Sequence, residues 1–426
     1  MKKVLVISYY WPPSGGSGVQ RWVKMCKFLP SLGWLPVVYT PEKPALTFTD
    51  ASLGADVPEE VEVIKYPIFE PGKFARKSTN AQVTPINSQK KTLKQRIALW
   101  IRGNCFIPDP KVLWVRPSVN FLTGYLKDHP VDAIVSTGPP HSMHLIAKKV
   151  AAATGTPWVA DFRDPWTKMF YFKHLNLTAC SERRHAALEK SVLDSATRVV
   201  AVSPLVQKDF QGMTQTPVSL ITNGFDEDDF PVSTASTTNR FTLLHAGLLA
   251  SDGNPESLWK ALGSMVAEDK DFAESFHLVL CGKTDKEILD SIEHNGLSAN
   301  MENLGYLEHT KVVEQMQTAS VLLLPLRKEP EYKAVLPGKL FEYLASRRPI
   351  LGIGQKDGAM ASILADTKSG EVFEWGEQLQ MRRFLEEQFK LFKAGEDTSC
   401  IEDIERYSRR VVAASYARLL DSICKE

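Results

Sequence analysis

The chain has 426 residues, a formal net charge of +1, 43% hydrophobic residues and 24% charged residues. This length exceeds what one hydrophobic core usually organises, so we expect two domains, or three. The balanced charge disfavours nucleic acid as a partner, because there is no global positive field to attract it. The six cysteines are scattered without a C-x-x-C pair, which disfavours a zinc site or a disulfide framework and favours a reducing compartment.

The N-terminal segment predicts neither a signal peptide nor a membrane anchor. Its apolar run, in "MKKVLVISYYWPP", is too short for a signal sequence and continues into a turn without a small-residue cleavage site. No stretch of ~18 uninterrupted apolar residues occurs, so no helix is expected to span a membrane. We expect a cytoplasmic protein, with peripheral attachment to the inner face of the cell membrane left open.

Short apolar strands alternate with helices through the first half of the chain. Residues 3–10 predict a buried strand, and helical spacing of apolar residues begins at Val19. The alternation recurs through the strands "WLPVVYT", "DAIVSTG", "PWVADF" and "RVVAVS". It is typical of a parallel, doubly wound sheet, here filling roughly residues 1–205.

A second alternating series follows the polar stretch "PVSTASTTNR", which indicates a loop. Its strands are "FTLLHAG", "FHLVLCG", "SVLLLPL" and "RRPILGIG". We predict an α/β protein with two Rossmann-like, doubly wound domains facing a central cleft, residues 1–215 and 216–404. A C-terminal helix in residues 405–426 is expected to rejoin the first domain.

One interval, residues 90–102, combines basic and apolar side chains at helical spacing. The basic residues are Lys90, Lys91, Lys94, Arg96 and Arg102, and the apolar residues are Leu93, Ile97, Trp100 and Ile101. A helix with one basic and one apolar face suits an anionic membrane surface. The alternative is an ordinary surface helix whose apolar face packs on the first domain.

The loop "PPSGGSGVQR" follows the first strand and precedes a helix. Gly15, Gly16 and Gly18 allow close approach of the backbone, and the helix start offers free N–H groups to an anion. Arg21 stands where the third glycine of a G-x-G-x-x-G dinucleotide motif belongs, so the motif is broken. The loop either contacts a ligand or is a turn that requires glycine.

Two further strand-end loops carry the candidate catalytic residues. In "STGPPHSMHL", His141 can exchange hydrogen bonds with a substrate hydroxyl near neutral pH, whereas His144 is expected to be structural. In "VADFRDPW", the carboxylates of Asp161 and Asp164 could bind sugar hydroxyls or accept a proton, with Arg163 between them. The alternative is an Arg–Asp pair that only locks the loop.

The segment "LPGKLFEYLA" predicts an anion site at the start of a helix in the second half. Amide groups near Gly338, together with Lys339, suit a diphosphate. Glu342 lies three residues on, on the same helix face as Lys339, and the alternative is a plain surface ion pair between the two. Arg327, after the strand "SVLLLPL", is a second candidate cation.

These motifs together resemble GT-B glycosyltransferases, especially those of glycosyltransferase family 4, over essentially the whole chain. The resemblance rests on the glycine loop, "NGFD", "HAG" and "PGKLFEYLASRRPIL", in that order, while "STGPPHS" and "DFRDPW" resemble a bacterial branch. It implies the GT-B architecture, a UDP- or GDP-sugar donor in the second domain and a glycan or lipid-linked acceptor in the first. It also implies transfer of a hexosyl or N-acetylhexosaminyl group with retention, without a metal or cofactor.

The resemblance also implies residue roles. Glu342 would hold the ribose hydroxyls, Lys339 with the amides near Gly338 would hold the phosphates, and His141 would position the sugar or the acceptor. The further donor contacts would be Arg327, Gly15, Gly16 and Gly247 at the phosphates and Lys283 and Leu307 beside the base. The implied catalytic set is His141, Asp161, Arg163 and Asp164.

The sequence departs from the family pattern at two places. Ala334 stands where many members have a Glu, so sugar hydroxyls must be bound by Glu329, Glu331 or backbone. The segment "GLLASDGNPESL" lacks the usual Arg and Lys, which leaves the phosphate charge to Arg327 and Lys339. Two rival functions stay open. A nucleotide-sugar 2-epimerase uses the same GT-B architecture, and the missing Glu at position 334 leaves open a catalytically silent sugar-nucleotide-binding protein.

Overall fold

The computed structural model describes residues 1–45, 49–50, 52–70, 92–231, 240–396 and 401–424. The chain divides into two compact units, Met1–Thr222 with Arg409–Glu426, and Asn223–Ser408. The boundary lies a few residues later than the predicted 215/216, because the carbonyls of Ile221 and Thr222 accept hydrogen bonds from Arg21 of the first unit. Most of the predicted polar loop, residues 232–239, lies outside the described residues.

The first unit is built on a parallel seven-stranded sheet. Its strands are β1 (Lys2–Ile7), β2 (Trp34–Pro41), β3 (Glu62–Tyr66), β4 (Ala133–Gly138), β5 (Trp158–Phe162), β6 (Arg198–Ala201) and β7 (Val218–Leu220). They lie in the order β3-β2-β1-β4-β5-β6-β7. The chain reverses direction across the sheet between β1 and β4, and ligands of such sheets bind at the carboxyl ends of the strands beside this reversal.

The helices of the first unit cover both faces of its sheet. They are α1 (Ser17–Phe28), α2 (Leu93–Asn104), α3 (Val115–Asp128), α4 (Ser142–Thr154), α5 (Ala179–Ser195), α6 (Pro204–Gln211) and α14 (Arg409–Ile423). Every residue of β4 and β5 is buried, as expected when helices lie on both sides. The C-terminal helix α14 packs on α1, where the rings of Tyr416 and Trp22 meet edge to face at 5.1 Å.

The second unit repeats this arrangement with a six-stranded parallel sheet. Its strands are β8 (Phe241–Ala246), β9 (Phe276–Cys281), β10 (Met301–Gly305), β11 (Val321–Pro325), β12 (Ile350–Ile353) and β13 (Gly370–Phe373). Its helices are α7 (Glu256–Glu268), α8 (Lys270–Ser275), α9 (Lys286–His294), α10 (His309–Thr318), α11 (Gly338–Ala345), α12 (Ala359–Asp366) and α13 (Gln378–Ala394). The strand order is β10-β9-β8-β11-β12-β13, so the reversal lies between β8 and β11.

The predicted fold class, an α/β chain of two Rossmann-like parallel-sheet domains, is confirmed. The loops after the strands beside the reversal carry Gly15, Gly16 and His141 in the first unit and Gly247 and Arg327 in the second. Over the described ranges, no helix combines the length and the apolar character needed to cross a bilayer.

Candidate functional site

Helix α11 is anchored at the carboxyl edge of the second sheet. The side chains of Leu340, Phe341 and Leu344 are buried beneath it. The hydroxyl of Tyr343 accepts from the N–H of Ala246 at 2.8 Å and donates to the Leu323 carbonyl at 3.3 Å, tying the helix to β8 and β11. These contacts fix the helix start relative to the ends of both strands.

Lys339, in the first turn of α11, lies against the end of β8. Gly247 has φ +102°, and a Cβ atom there would lie 2.9 Å from Lys339 Nζ, so glycine serves both the backbone conformation and the approach of the ammonium group. Burial lowers the pKa of Lys339 to about 8, and the carboxylate of Glu342 opposes that shift. The site thus holds a desolvated cation beside the backbone amides of a helix start.

His245 completes the surroundings of Lys339, and sequence reasoning missed it. It lies in β8 and is 1% exposed. Its Nε2 is 3.5 Å from Lys339 Nζ, and its Nδ1 is 3.0 Å from the Leu323 carbonyl oxygen. Burial and then the charge of Lys339 lower its pKa to about 3, so the ring is neutral at physiological pH. A titratable residue near the end of an apolar strand, the signal used for His141, could have revealed it.

The loops after β8 and β9 touch through glycine. The N–H of Gly247 donates to the Cys281 carbonyl at 2.6 Å, and a Cβ atom at Gly282 would lie 2.4 Å from the Gly247 carbonyl oxygen. Lys283, the next residue, has an exposed side chain. Leu307, two residues after β10, is half-buried.

Two charged side chains of the predicted donor site, Glu342 at the ribose and Arg327 at the phosphates, are already in contact with protein groups. Glu342, on the face of Lys339, lies 3.4 Å from His309 Nε2. Arg327 Nη1 is 2.7 Å from Asp252 Oδ2, so a carboxylate offsets its charge. By contrast, the Oε2 atom of Glu329 is buried without a hydrogen-bond partner among the described residues, which makes this residue available to a ligand hydroxyl.

In the first unit, the glycine loop leads into α1. Gly16 is the residue before the helix and has φ +95°, a conformation that favours glycine. A Cβ atom at Gly15 would lie 3.1 Å from the Cβ of Asp50, and one at Gly18 would lie 2.7 Å from Arg163 Nη1. The loop therefore requires glycine for its own geometry and for contact with Arg163.

Arg163 is occupied in holding backbone together. Its guanidinium donates to the carbonyls of Gly18 at 2.5 Å and Gly138 at 3.3 Å, and also to that of Pro139. It thereby joins the loops after β1 and β4 to its own. These contacts fit the alternative that Arg163 holds its loop in place, and its predicted membership of the catalytic set stays a prediction.

Asp161 is likewise in contact with protein groups. Its carboxylate is 0% exposed and accepts from Arg21 Nη2 at 2.9 Å, Arg21 Nε at 3.1 Å and Trp22 Nε1 at 2.8 Å. Both oxygens are engaged in the core, which fits the alternative of an Arg–Asp pair with a structural role, and the catalytic role stays a prediction. Arg21, which breaks the dinucleotide motif, is present for this pair. Asp164 is half-buried, and burial raises the pKa of its carboxyl group.

His141 keeps both ring nitrogens free for a ligand. It is 4% exposed, stacks on Trp166 at 4.9 Å between centroids, and its Nδ1 and Nε2 have no hydrogen-bond partner within the described part of the chain. Burial, and then His144 and Arg163, hold its pKa well below the ordinary value. His144 has the predicted structural contact, with Nδ1 at 2.8 Å from Ser136 Oγ.

Helix α2 presents an apolar face to solvent. Thr92 and Gln95 form a capping box at its start. The exposed apolar side chains are Leu93 at 71%, Ile97 at 51%, Trp100 at 44% and Ile101 at 40%. The alternative that this face packs on the first domain is therefore wrong. Lys90 and Lys91 lie outside the described residues.

Among the described residues, hydrogen bonds join the C-terminal end of α2 to the rest of the unit. The Gly103 carbonyl lies 3.3 Å from His185 Nε2, and Asn104 contacts the backbone of Asn176 and Thr178. The indole N–H of Trp166 donates to Nδ1 of the same His185 at 3.0 Å, so a chain of contacts joins α2 to the ring stacked on His141.

Two families match successive parts of the chain. Residues 96–224 match the family described as glycosyl transferase 4-like domain, and residues 226–390 match glycosyl transferases group 1. The junction of the two matches falls just after the unit boundary at Thr222. No curated protein matches the sequence.

Solved structures with a similar fold include three that are matched over almost their whole length. A glycosyltransferase from Rickettsia africae ESF-5 has 13% identity and a TM-score of 0.65, covering 100% of this chain and 99% of that one. WaaG, a glycosyltransferase involved in lipopolysaccharide biosynthesis, has 18% identity and a TM-score of 0.55, covering 99% and 97%. Anabaena Alr3699/HepE, in complex with UDP-glucose, has 14% identity and a TM-score of 0.58, covering 100% and 98%. At these identities the similarity establishes the GT-B fold alone.

Proposed function

We propose a reaction for this chain, which carries a glycosyl transferase 4-like domain followed by a glycosyl transferases group 1 domain. It transfers a hexosyl or N-acetylhexosaminyl group from a nucleoside diphosphate sugar to a glycan or a lipid-linked acceptor. Transfer proceeds with retention and without a metal ion. We also propose that the chain belongs to a bacterial branch of glycosyltransferase family 4, which the stretches "STGPPHS" and "DFRDPW" resemble.

The observation that carries the proposal is the anion site at the start of α11. Lys339 lies beside Gly247 at the end of β8, next to the free amides of the helix start. Negative charge develops on the departing diphosphate during transfer, and fixed cations and amides in a partly desolvated site stabilise that charge. A site of this kind meets the main electrostatic demand of the reaction.

The other donor contacts follow from the position of α11. Glu342 holds the ribose hydroxyls, and Lys283 and Leu307 flank the base. Because HepE was crystallised with UDP-glucose, UDP is the first nucleotide to test, with GDP second. The roles of Gly15, Gly16 and Arg327 toward the donor stay predictions. Glu329, with its free buried oxygen, replaces the family Glu absent at Ala334 in binding the sugar.

In the first unit, His141 positions the acceptor or the transferred sugar. A neutral imidazole with two free nitrogens donates one hydrogen bond and accepts another, which suits neighbouring hydroxyls. The lowered pKa keeps it neutral, so it does not supply a positive charge. Asp164 is the carboxyl group of the predicted catalytic set that stays available as an acceptor contact.

Nucleotide binding tests the donor site directly. We expect UDP, or GDP if the donor carries guanine, to raise the melting temperature in a thermal-shift panel of nucleotides, with CMP and ADP as comparisons. A ligand at 100 times its dissociation constant stabilises the native state by about 2.7 kcal/mol. Absence of any shift across nucleotides and sugar nucleotides would contradict the proposal.

Product analysis separates the proposal from its rivals. The purified protein, its sugar nucleotide and a lipid extract are incubated, and the nucleotide, the sugar and the lipid fraction are analysed. A glycosyltransferase releases UDP or GDP and labels the acceptor. A 2-epimerase instead changes the sugar with no acceptor present, and a silent binder changes nothing.

We further propose that α2 binds an anionic membrane on its cytoplasmic face. Its four exposed apolar residues follow the i, i+4, i+7, i+8 spacing of a single helix stripe. Lys94 and Arg96, both exposed, flank that stripe. Apolar insertion combined with cationic flanks fits the headgroup region of an anionic bilayer, where a lipid-linked acceptor would be presented.

Vesicle sedimentation tests this surface. Trp100→Glu removes a large apolar contact and adds a negative charge, so binding to anionic vesicles should fall at least ~tenfold. Ala98→Glu, on the same helix but away from the stripe, adds the same charge and should have a much smaller effect. Equal loss in both variants, or no binding by the unaltered protein, would contradict the proposed surface.

A further inference from the structure

His245 lies near the carboxyl end of β8, and the function proposed above gives it no role. Its Nδ1 faces the Leu323 carbonyl oxygen at 3.0 Å. A carbonyl oxygen only accepts, so in the neutral ring Nδ1, which faces Leu323, carries the proton and Nε2 has the lone pair. The backbone of Leu248 is a second hydrogen-bonding neighbour of the ring. The backbone of β11 thus fixes the tautomer of this buried histidine.

The free lone pair of His245 faces the cation of the anion site. Nε2 is 3.5 Å from Lys339 Nζ, and the Cα of Gly247 lies on another side of the same ammonium group. An ammonium donates and an unprotonated imidazole nitrogen accepts. Lys339 is therefore held by a neutral acceptor and by the space that the missing glycine side chain leaves.

A neutral hydrogen-bond acceptor and a carboxylate have different effects on the positive charge of the cation that they contact. The second candidate cation, Arg327, is 2.7 Å from Asp252, and that carboxylate offsets its attraction for an anion. An imidazole compensates part of the desolvation of Lys339 and leaves its full positive charge. Arg327 thus contacts a carboxylate directly, whereas Lys339 has the imidazole of His245 beside it and the carboxylate of Glu342 on its own helix, which opposes the lowering of its pKa.

We infer that His245 is the positioning residue that keeps Lys339 charged and directed at the donor diphosphate. The inference rests on the proposed function and adds to it the group on which the phosphate contact depends. His245 does not touch the diphosphate in this account and acts only through Lys339.

Few groups around Lys339 change charge near neutral pH. Glu342 lies on its own helix, and His309 contacts Glu342. Burial raises the pKa of Cys281, at the end of β9, to about 11 and raises that of Tyr343 as well, so both stay neutral. His245 is neutral because its pKa is lowered to about 3. Among these groups, Lys339, with its pKa of about 8, is the one that titrates between pH 7.5 and 9.5.

The test is UDP binding by calorimetry between pH 7.0 and 9.5. In the unaltered protein, affinity should fall as pH rises through about 8, because deprotonated Lys339 no longer attracts the diphosphate. His245→Phe removes the acceptor, which lowers the pKa of Lys339 further and moves this midpoint to lower pH. A midpoint lower by about one unit weakens binding roughly threefold at pH 7.5. His245→Gln, whose amide oxygen can reach the position of Nε2 and accept there, should return the midpoint toward its original value.

Controls separate positioning from structure. Lys339→Met should give a flat pH profile, since the titrating group is gone. If His245→Phe does not fold, His245→Leu, which also lacks an acceptor, takes its place. An unchanged midpoint in the non-accepting variant overturns the inference but leaves the donor site intact. If neither UDP nor GDP binds the unaltered protein at any pH, the proposed function itself fails.

Discussion

Lys339→Met is expected to weaken UDP binding by about 30-fold at pH 7, or about 2 kcal/mol, as befits a hydrogen bond to a charged group. Methionine keeps most of the length and apolar surface of the stem, so the fold of α11 should survive. The positive charge beside the helix start is lost, while the amides near Gly338 remain. Isothermal titration calorimetry measures the change, and transfer activity should fall at least as far, because charge on the leaving diphosphate increases in the transition state.

Lys260→Met is the matched control. Lys260 is an exposed lysine of α7 in the same unit, away from the strand ends that carry the proposed site. The same substitution there should leave the UDP affinity unchanged. Equal affinities for Lys339→Met and the unaltered protein would remove the anion site from the proposed function.

Asp161→Ala should destabilise the first unit by about 3–5 kcal/mol, because it leaves Arg21 charged, buried and deprived of its partner. The pair is 0% exposed on both sides. Amide hydrogen exchange in β4 and β5 measures this loss locally, without requiring that the two units unfold together. Intact protection combined with abolished transfer would support the catalytic role that the sequence predicted for Asp161.

Two further variants sharpen this test. Asp421→Ala breaks an exposed ion pair with Lys2 in the same unit and should leave the stability nearly unchanged. The double variant Arg21→Met with Asp161→Leu removes both charges at once, so it should recover a large part of the loss. Recovery would show that the cost comes from the unpaired charge rather than from the altered shape of the core.

Local sequence patterns were sufficient to predict the fold class and the part of the candidate site around Lys339 in the second unit. The period of apolar residues is a property of each segment, so alternating strands and helices could be read along the chain. Lys339 could be found because Pro337 and Gly338 stand directly before it at a predicted helix start. The exposed apolar face of α2 was visible as a pattern, but whether it packs on the unit depended on what else covers it.

The two Rossmann-like domains, the glycine loop and the lysine at the start of α11 could all be predicted from the sequence. Each of these features depends on residues that are neighbours along the chain. The tertiary structure was needed to see which charged side chains are paired within the protein and which can contact a ligand. Asp161 meets Arg21 across 140 positions, and His245 meets Lys339 across 94. Charge pairing and burial are set by such distant contacts, so a carboxylate in the core and a histidine behind a cation cannot be recognised from the residues around them.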